Sequence, residues 1–273
     1  DALEEAGKDS TEIDLIAYSR SPGLGHALRI GAAVARTLAL KLGKPLVGVN
    51  HCIAHLEIGR LLTPAHDPVL LYASGANTQV IAYEGGRYRI FGETLDIGIG
   101  NFLDNLGRAL DLGFPAGPKI EQLAKQAAEK EMPLIELPYT VKGMDVSFGG
   151  LLTKLKQLIK DGTHPKDQLC YSVQETVFAM LVEVSERAMA HCGKDELILG
   201  GGVACNARLQ DMCTRMCEDR GAKSHAPAKQ YLVDNAAMIA WTGYRLHEQG
   251  HTLTAEEADV DAYERTDEVP LKL

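Results

Sequence analysis

Two histidines four residues apart, His51 and His55, lie in the segment VNHCIAHLEIGR at residues 49–60. On a helix, residues at positions i and i+4 project from one face, so both imidazoles could reach one metal ion. The same spacing suits two side chains at the edge of a core, and spacing alone favours that structural interpretation. Cys52 follows His51 where zinc proteases carry a glutamate, so the pair is not an H-E-x-x-H site.

A third metal ligand would have to come from elsewhere in the chain, and Asp234 in VDNAAMIAW is the candidate. It precedes a segment with helical periodicity, and we expect it to be the N-cap of that helix. An aspartate at an N-cap usually only accepts hydrogen bonds from backbone N–H groups. From the residues alone, a metal site and a structural cluster therefore both stay open.

Three glycine-containing turns could hold an anion. They are SGANT at residues 74–78, FPAGP at residues 114–118 and GGGV at residues 200–203. Such turns let backbone N–H groups approach a phosphate, and a helix N-terminus adds a partial positive charge. None matches a Walker loop or the dinucleotide fingerprint. Together the three turns favour a nucleotide-binding cleft.

Length and composition limit the class of protein. The chain has 273 residues, 45% of them hydrophobic, which suits two lobes around a cleft. A net charge of −9 argues against coating nucleic acid by overall charge, although a local basic patch stays open. Aromatic residues make up only 5%, too few for a single-strand stacking platform.

Six cysteines without a C-x-x-C pair, and no recognisable signal peptide or long apolar stretch, predict a reduced, cytoplasmic protein with no membrane partner. Cys213 and Cys217 share one helix face, and we expect both to pack in the core.

The order of elements predicts an α/β fold. Strand–helix units fill the first ~65 residues, an antiparallel meander follows, and strand–helix units return after residue 190. We expect a first lobe of residues 1–65, on which residues 244–273 pack, and a second lobe of residues 66–243 with the nucleotide turns. Residues 252–273 are predicted to form a peripheral tail.

The ordered motifs resemble one known family. They are VGVNHCIAHLEIGR, LYASGANTQVIAY, ETLDIGIGNFLDNLGRALDLGFPAGPKIE, VKGMDVSFGGLLT, LILGGGVACNARL and VDNAAMIAW. In this order they are similar to the universal tRNA threonylcarbamoyladenosine-forming family, once described as glycoprotein endopeptidases. LDIGIGN and VKGMD resemble the archaeal and eukaryotic catalytic subunit of the KEOPS complex more than the bacterial subunit.

The resemblance implies an actin-like, sugar-kinase-like, heat-shock-chaperone-like (ASKHA) two-lobed fold. It implies an acyltransferase that moves a threonylcarbamoyl group from threonylcarbamoyl-AMP to the adenosine beside the anticodon of ANN-decoding tRNAs. No covalent nucleophile is implied. The implied partners are tRNA, a small atypical protein kinase and a small dimerising subunit.

The resemblance also assigns residues. One Fe²⁺ or Zn²⁺ would be held by His51, His55, Tyr72 and Asp234. An ATP-type or AMP-type nucleotide, or threonylcarbamoyl-AMP, would lie along Tyr72, Ala73, Ser74, Gly75, Ala76, Asn77, Asp104, Gly117, Glu121, Gly201, Gly202 and Asn206.

The chain departs from the family in several motifs, among them SPGLG at residues 21–25, SFGG at residues 147–150 and two glycine positions, and at its start. Ala76 and Ala116 stand where the family has glycine, and we expect a Cβ at Ala76 to crowd a phosphate or strain a turn that needs positive φ. On that basis Ala76→Gly would bind nucleotide more tightly. The family's opening strand hairpin has no counterpart here, so we expect a truncated first lobe with an unpaired sheet edge.

Three other functions stay open. A metalloprotease is disfavoured by the residue after His51. A sugar or acyl kinase of the same fold would need a catalytic aspartate that the sequence does not reveal. A non-catalytic nucleotide-binding or metal-binding fragment remains the main alternative, and a true fragment is expected to have little transferase activity.

Overall fold

The computed structural model describes residues 2–273 as an α/β protein. In that range the helices are α1 Ala2–Ala6, α2 Gly25–Leu42, α3 His51–Leu62, α4 Ile99–Ala109, α5 Gly117–Glu129, α6 Gly149–Asp161, α7 Lys166–Cys192, α8 Ala207–Asp219, α9 Lys229–Leu232 and α10 Ala236–Glu248. The strands are β1 Ile16–Ser21, β2 Leu46–Asn50, β3 Val69–Ala73, β4 Thr78–Glu84, β5 Arg87–Glu93, β6 Val141–Lys142, β7 Asp145–Val146, β8 Glu196–Gly200 and β9 Lys223–His225.

The main sheet has five strands in the order β5-β4-β3-β8-β9. β3, β4 and β5 form the antiparallel meander that the sequence predicts, and β8 pairs parallel to β3. Alternate residues of β3 enter two different cores: Leu71 packs with α7, and Leu70 packs with α3. Helices therefore cover both faces of the central strands, which explains why β3 and β8 are almost wholly apolar.

Two glycines bring α3 close to β8. A Cβ on Gly59 would lie 3.0 Å from Cδ1 of Ile198, so a larger residue would need the isoleucine side chain to shift. One turn earlier, the Cβ of His55 lies 3.3 Å from where a Cβ on Gly200 would stand. Asn50 begins the helix, because its side chain accepts hydrogen bonds from the Cys52 and Ile53 N–H groups. The N-terminal turn of α3 thus lies at the carboxyl end of β8.

A second, two-stranded sheet pairs β1 parallel to β2. α2 and α10 pack against it. The C-terminal residues return to these strands: Leu253 bridges to Leu46, and the Asp261 N–H donates to the carbonyl of Arg20. The division into two lobes near residue 65 stays a prediction.

The expectation of a peripheral C-terminal tail is wrong. Ala258, Val269 and Leu271 are buried, Ala258 in the core under α2 and the other two in the core around α3. The sequence after residue 252 is too polar on average to indicate this, because only isolated apolar side chains anchor it.

The six cysteines are free thiols. Cys213 and Cys217 are buried in the core beneath α8, which confirms their predicted packing role. No helix within residues 2–273 combines the length and the hydropathy needed to cross a bilayer.

Candidate metal centre and nucleotide cleft

Three donor side chains converge at the start of α3. The Nε2 atom of His51 lies 3.1 Å from Oδ1 of Asp234, and the Nε2 atom of His55 lies 3.2 Å from the same oxygen. All three ligand atoms lie within 4.8 Å of one another. One carboxylate oxygen therefore faces two imidazole nitrogens, an arrangement in which a single cation could contact all three.

Asp234 reaches the histidines because it lies just outside α10. The expectation that it caps this helix is wrong: the N-cap is Asn235, whose side chain accepts the Met238 N–H at 2.9 Å. The carboxylate of Asp234 is thereby left for the histidines. The segment before it is fixed by a 2.9 Å hydrogen bond from the Gly201 N–H to the carbonyl of Leu232.

The protonation states of the cluster suit a metal ion. Burial lowers the pKa of His55, so this imidazole is neutral near pH 7 and keeps a lone pair. Hydrogen bonds from His51 and His55 hold the pKa of Asp234 well below its usual range, so the carboxylate is charged. His55 Nδ1 is buried without a hydrogen-bond partner, so whatever occupies Nε2 sets its tautomer. Two imidazoles and a carboxylate are a donor set that fits Zn²⁺ or Fe²⁺.

Tyr72 lies beside the cluster, at the end of β3. Its ring centroid is 4.9 Å from that of His55 and 6.4 Å from that of His51. The side chain is buried, and burial raises the pKa of the phenol far above its ordinary value. Without a nearby cation the hydroxyl therefore stays protonated.

Cys52 occupies the position that holds the general base in an H-E-x-x-H protease. It is fully buried, and burial raises the pKa of its thiol to about 12. A protonated, inaccessible thiol cannot activate water, so the geometry also disfavours the protease alternative.

A cleft of about 690 Å³ brings the three glycine turns together. Six of the residues expected to bind nucleotide line it: Gly75, Asp104, Gly117, Glu121, Gly202 and Asn206. The rest of the wall is mainly apolar and includes Leu103, Phe114, Pro115, Val203 and Val233. Val233 directly precedes Asp234, so the cleft and the histidine cluster are neighbours along the chain.

Three polar side chains of the cleft, those of Asp104, Glu121 and Asn206, are already bonded to the protein backbone. Asp104 Oδ1 accepts the Ala116 N–H at 2.9 Å, and Glu121 Oε1 accepts the Ala207 N–H at 2.8 Å. Asn206 caps α8 by accepting two backbone N–H groups. These side chains fix the walls, because each ties a glycine turn or a helix start to its neighbour.

The remaining residues expected to bind nucleotide do not line the cleft. Ser74 and Asn77 close their own turn, through a 3.0 Å hydrogen bond from the Ser74 N–H to the Asn77 carbonyl. Two expectations need correction: Ala73 is fully buried in β3, and Gly201 is buried beneath it. Gly201 has φ +91°, and a Cβ there would lie 2.4 Å from the Ala73 carbonyl oxygen, so this glycine is a backbone contact.

The expectation that Ala76 strains a turn that needs positive φ is also wrong. Within residues 2–273, the non-glycine residues with positive φ are Asp111 and Glu131, so the turn at Ala76 does not need glycine. Ala76 is exposed and not part of the cleft wall. Ala116 has φ −86°, and its methyl group fills the space that Gly107 leaves empty, 2.1 Å from where a Cβ there would stand.

Sequence reasoning missed several residues of the cleft wall. Phe114 is 83% exposed at the cleft, although it lies in a motif already singled out, and its ring is free to stack on a base. Lys229, Gln230 and Val233 also line the cleft. Their position just before Asp234 is the signal that could have revealed them.

Comparison with known proteins points to a single family. The model of the family TsaD, described as tRNA N6-adenosine threonylcarbamoyltransferase, matches residues 1–241. A probable bifunctional tRNA threonylcarbamoyladenosine biosynthesis protein of Methanocorpusculum labreanum is 56% identical over 98% of this chain and 49% of its own length. The tRNA N6-adenosine threonylcarbamoyltransferases of Thermococcus kodakarensis and Bos taurus are 55% and 51% identical, each over 98% of this chain and 81% of theirs.

Two solved structures show the fold. HypF from T. kodakarensis is 14% identical, with a TM-score of 0.65 over 84% of this chain and 40% of that one. Component A of (R)-2-hydroxyglutaryl-CoA dehydratase from Acidaminococcus fermentans is 15% identical, with a TM-score of 0.51 over 89% of this chain and 80% of that one. These likenesses confirm the predicted ASKHA fold class.

The chain spans about half the length of the bifunctional relatives it matches. The family model matches most of the chain. The chain is also more than half identical in sequence to the T. kodakarensis and Bos taurus enzymes, and the matched region covers about four fifths of the length of each. The chain belongs to the TsaD family of tRNA N6-adenosine threonylcarbamoyltransferases, in its archaeal and eukaryotic form.

Proposed function

We propose that this chain transfers a threonylcarbamoyl group from threonylcarbamoyl-AMP to the exocyclic amine of the adenosine beside the anticodon of ANN-decoding tRNAs. The observation that carries the proposal is the His51–His55–Asp234 cluster next to a cleft of about 690 Å³ in a member of this family. Because tRNA is the proposed substrate, we expect the protein to act in the cytoplasm.

The reaction forms one bond and breaks one. The adenine N6 amine attacks the carbonyl carbon of the threonylcarbamoyl group, the C–O bond to the phosphate breaks, AMP leaves with the bonding electron pair, and one amine proton is released. An exocyclic amine of adenine is a poor nucleophile, so the carbonyl must be made more electrophilic. A divalent ion held by His51, His55 and Asp234, with Tyr72 beside it, would supply that polarisation.

The cleft walls would bind the nucleotide part of the donor. Asp104 and Glu121 each use one oxygen for a backbone N–H, which leaves Oδ2 and Oε2 to accept hydrogen bonds from ribose hydroxyls. Phe114 offers an aromatic face for adenine. Holding the donor in one orientation beside the metal cluster lowers the entropic part of the barrier.

Partner proteins are a further part of the proposal. α2 exposes Ile30, Val34 and Leu38, which are spaced four residues apart and form an apolar stripe on one face. This stripe supports docking of a helical partner such as the small dimerising subunit. Val34→Glu should abolish co-elution with that subunit, whereas Lys41→Gln at the end of the same helix should not; co-elution of both variants would count against it.

The test of the activity is an acyl-transfer assay. Purified protein is incubated with threonylcarbamoyl-AMP labelled in the threonine and with an ANN-decoding tRNA transcript. We expect label in the tRNA, and none in a transcript whose adenosine beside the anticodon is replaced by guanosine. Binding of nucleotide and metal without any transfer, even after the partner subunits are added, would favour the non-catalytic alternative.

A further inference from the structure

α6 has a basic surface that the metal cluster and cleft do not use. Lys154, Lys156 and Lys160 lie within seven residues, all three are exposed, and none has an ion-pair partner in the part of the chain that the structure describes. Asp161, the acidic residue of this helix, is bonded to Gln157 Nε2 at 2.7 Å. Lys156 and Lys160, at positions i and i+4, share one face of the helix, whereas Lys154 lies about 160° round the helix axis from Lys156. The three ammonium groups therefore border the exposed side of α6 and are free to bind an anionic partner.

The positive charge of this surface is opposite in sign to the net charge of the protein. The chain carries a net charge of −9, and its C-terminal part is acidic. Residues 254–268 contain seven acidic side chains and a single basic one, Arg265. An approaching polyanion would be repelled from the C-terminal side and attracted to α6, because exposed charges of one sign create a local field.

α4 links the basic surface to the cleft. Gly100 and Asp104 of α4 line the cleft, and the ring of Phe102 packs on Phe148 at the start of α6, with centroids 5.5 Å apart. At about 100° per residue, Asn101 and Arg108 lie between these two sides of the helix. Both are exposed, so α4 presents one neutral and one basic polar side chain between the cleft and α6.

We infer that the exposed sides of α4 and α6 bind the sugar–phosphate backbone of the RNA whose adenosine enters the cleft. The inference rests on the proposed function and adds to it the surface that receives the RNA. Lysines that neutralise phosphates release counterions, which gives affinity without reading sequence. An RNA stem is wider than a single α-helix, so one stem would reach both the cleft and α6 at the same time.

The test compares two triple variants, each of which loses three positive charges at a different part of the surface. One variant combines Lys154→Gln, Lys156→Gln and Lys160→Gln. The matched control combines Lys41→Gln, Lys223→Gln and Lys272→Gln, three exposed lysines that also have no ion-pair partner among the described residues. Binding of a fluorescent ANN-decoding tRNA transcript is measured by anisotropy over a salt series, and AMP binding is measured by calorimetry.

We expect the α6 variant to bind tRNA at least about 10-fold more weakly near 0.1 M salt, with a salt slope reduced by roughly 2, since each lost phosphate contact contributes about 0.7 to 0.9. The control should stay within about 2-fold of the unaltered protein, because it keeps the α6 lysines. AMP affinity and the unfolding temperature should be the same in all three proteins.

Two results would overturn the inference. Equal loss in both triple variants would mean that only overall charge matters. An α6 variant that binds tRNA normally but loses binding to phosphatidylserine vesicles would assign the surface to a membrane. If the unaltered protein transfers the acyl group while the α6 variant binds tRNA normally, only this surface is wrong; if the unaltered protein neither binds tRNA nor transfers, the proposed function fails as well.

Discussion

The His51–His55–Asp234 cluster and the cleft hold their polar side chains in opposite ways. In the cluster, the three side chains face one another, and within residues 2–273 the carboxylate has no backbone partner. In the cleft, Asp104 and Glu121 each accept a backbone N–H from a neighbouring turn. The first group is arranged for something that comes between its members, whereas the second is part of the protein's own framework.

This difference predicts how each site responds to mutation. Side chains that only face one another can be changed with little effect on the fold, and the loss appears in what they bind. Side chains bonded to the backbone contribute to stability and to ligand binding together, because an unpaired N–H remains when they are removed. The following variants test that contrast.

Gly201→Ala should have the largest effect on stability, because Gly201 packs against β3 beside the cleft and also holds the segment before Asp234. A Cβ would lie 2.4 Å from the Ala73 carbonyl oxygen at a residue with φ +91°, and the Gly201 N–H fixes Leu232 just before Asp234. We expect a loss of about 3 kcal/mol in the free energy of unfolding.

Gly202→Ala is the matched control for this variant, since a Cβ there meets nothing within 4 Å. It should cost less than about 1 kcal/mol in chemical denaturation. Equal stability of the two variants would show that the close contact at Gly201 is not a constraint.

Asp234→Asn should come next, with an effect on metal binding and almost none on the fold. The amide keeps the shape of the side chain but removes the charge that faces both imidazoles. We expect metal affinity to fall by roughly 100-fold, with AMP affinity within about 2-fold of the original. Calorimetry and elemental analysis would measure both.

Asp219→Asn, at an exposed position at the end of α8, is the control for the lost charge. It should leave metal binding unchanged. A metal content that survives in Asp234→Asn would place the ion elsewhere.

Replacing Glu121 should give a smaller, mixed effect. Glu121→Ala leaves the Ala207 N–H without its partner and should cost about 1 kcal/mol of stability as well as nucleotide affinity. Glu121→Gln keeps an acceptor for that N–H, so stability should hold while nucleotide affinity falls roughly 3-fold to 10-fold. If both variants lost only affinity, Glu121 would resemble the metal ligands and the contrast would be wrong.

The smallest effect concerns acid stability at Asp96, a third carboxylate bonded to backbone. Partial burial opposes its ionisation, yet hydrogen bonds from the Phe148 and Gly149 N–H groups and the Ser147 hydroxyl outweigh it and hold the pKa of Asp96 at about 2, below its ordinary 3.8. Because the folded pKa is lower, this stability is present above pH 3.8 and is lost as the pH falls towards 2.

Asp96→Asn should therefore unfold at the same free energy as the unaltered protein near pH 2 and be less stable above pH 4, by less than about 1 kcal/mol because the carboxylate is exposed. Denaturant titrations at four pH values would measure this. A pH-independent difference between the two proteins would mean that the charge of Asp96 plays no part.

Much of the fold could be predicted from the sequence, because its periodic segments are long and end at glycines. The meander over β3, β4 and β5 followed from alternation and turn residues, and a helix carrying His51 and His55 was expected where α3 lies. The burial of Val269 and Leu271 could not be predicted, since single apolar residues in a polar segment carry no periodic signal.

The site was predicted unevenly for a similar physical reason. His51, His55 and Asp234 were assigned together through the family resemblance, because their spacing alone left a structural cluster open; the structure brings them together. The sequence does not reveal that Asp104 and Glu121 accept hydrogen bonds from the backbone. Their partners, Ala116 and Ala207, contribute only a backbone N–H, which every residue except proline has. Likewise, the tolerance for Ala116 depends on Gly107, which no local pattern reveals.

We propose that a divalent ion at His51, His55 and Asp234 supports acyl transfer. This is tested by the transfer rate of anaerobically prepared, metal-stripped protein during titration with Fe²⁺ or Zn²⁺, alongside Asp234→Asn. Transfer should rise to a plateau at one ion per chain, and the variant should stay inactive at the same ion concentration. Full transfer by the stripped protein, or an equal response of the variant, would contradict it.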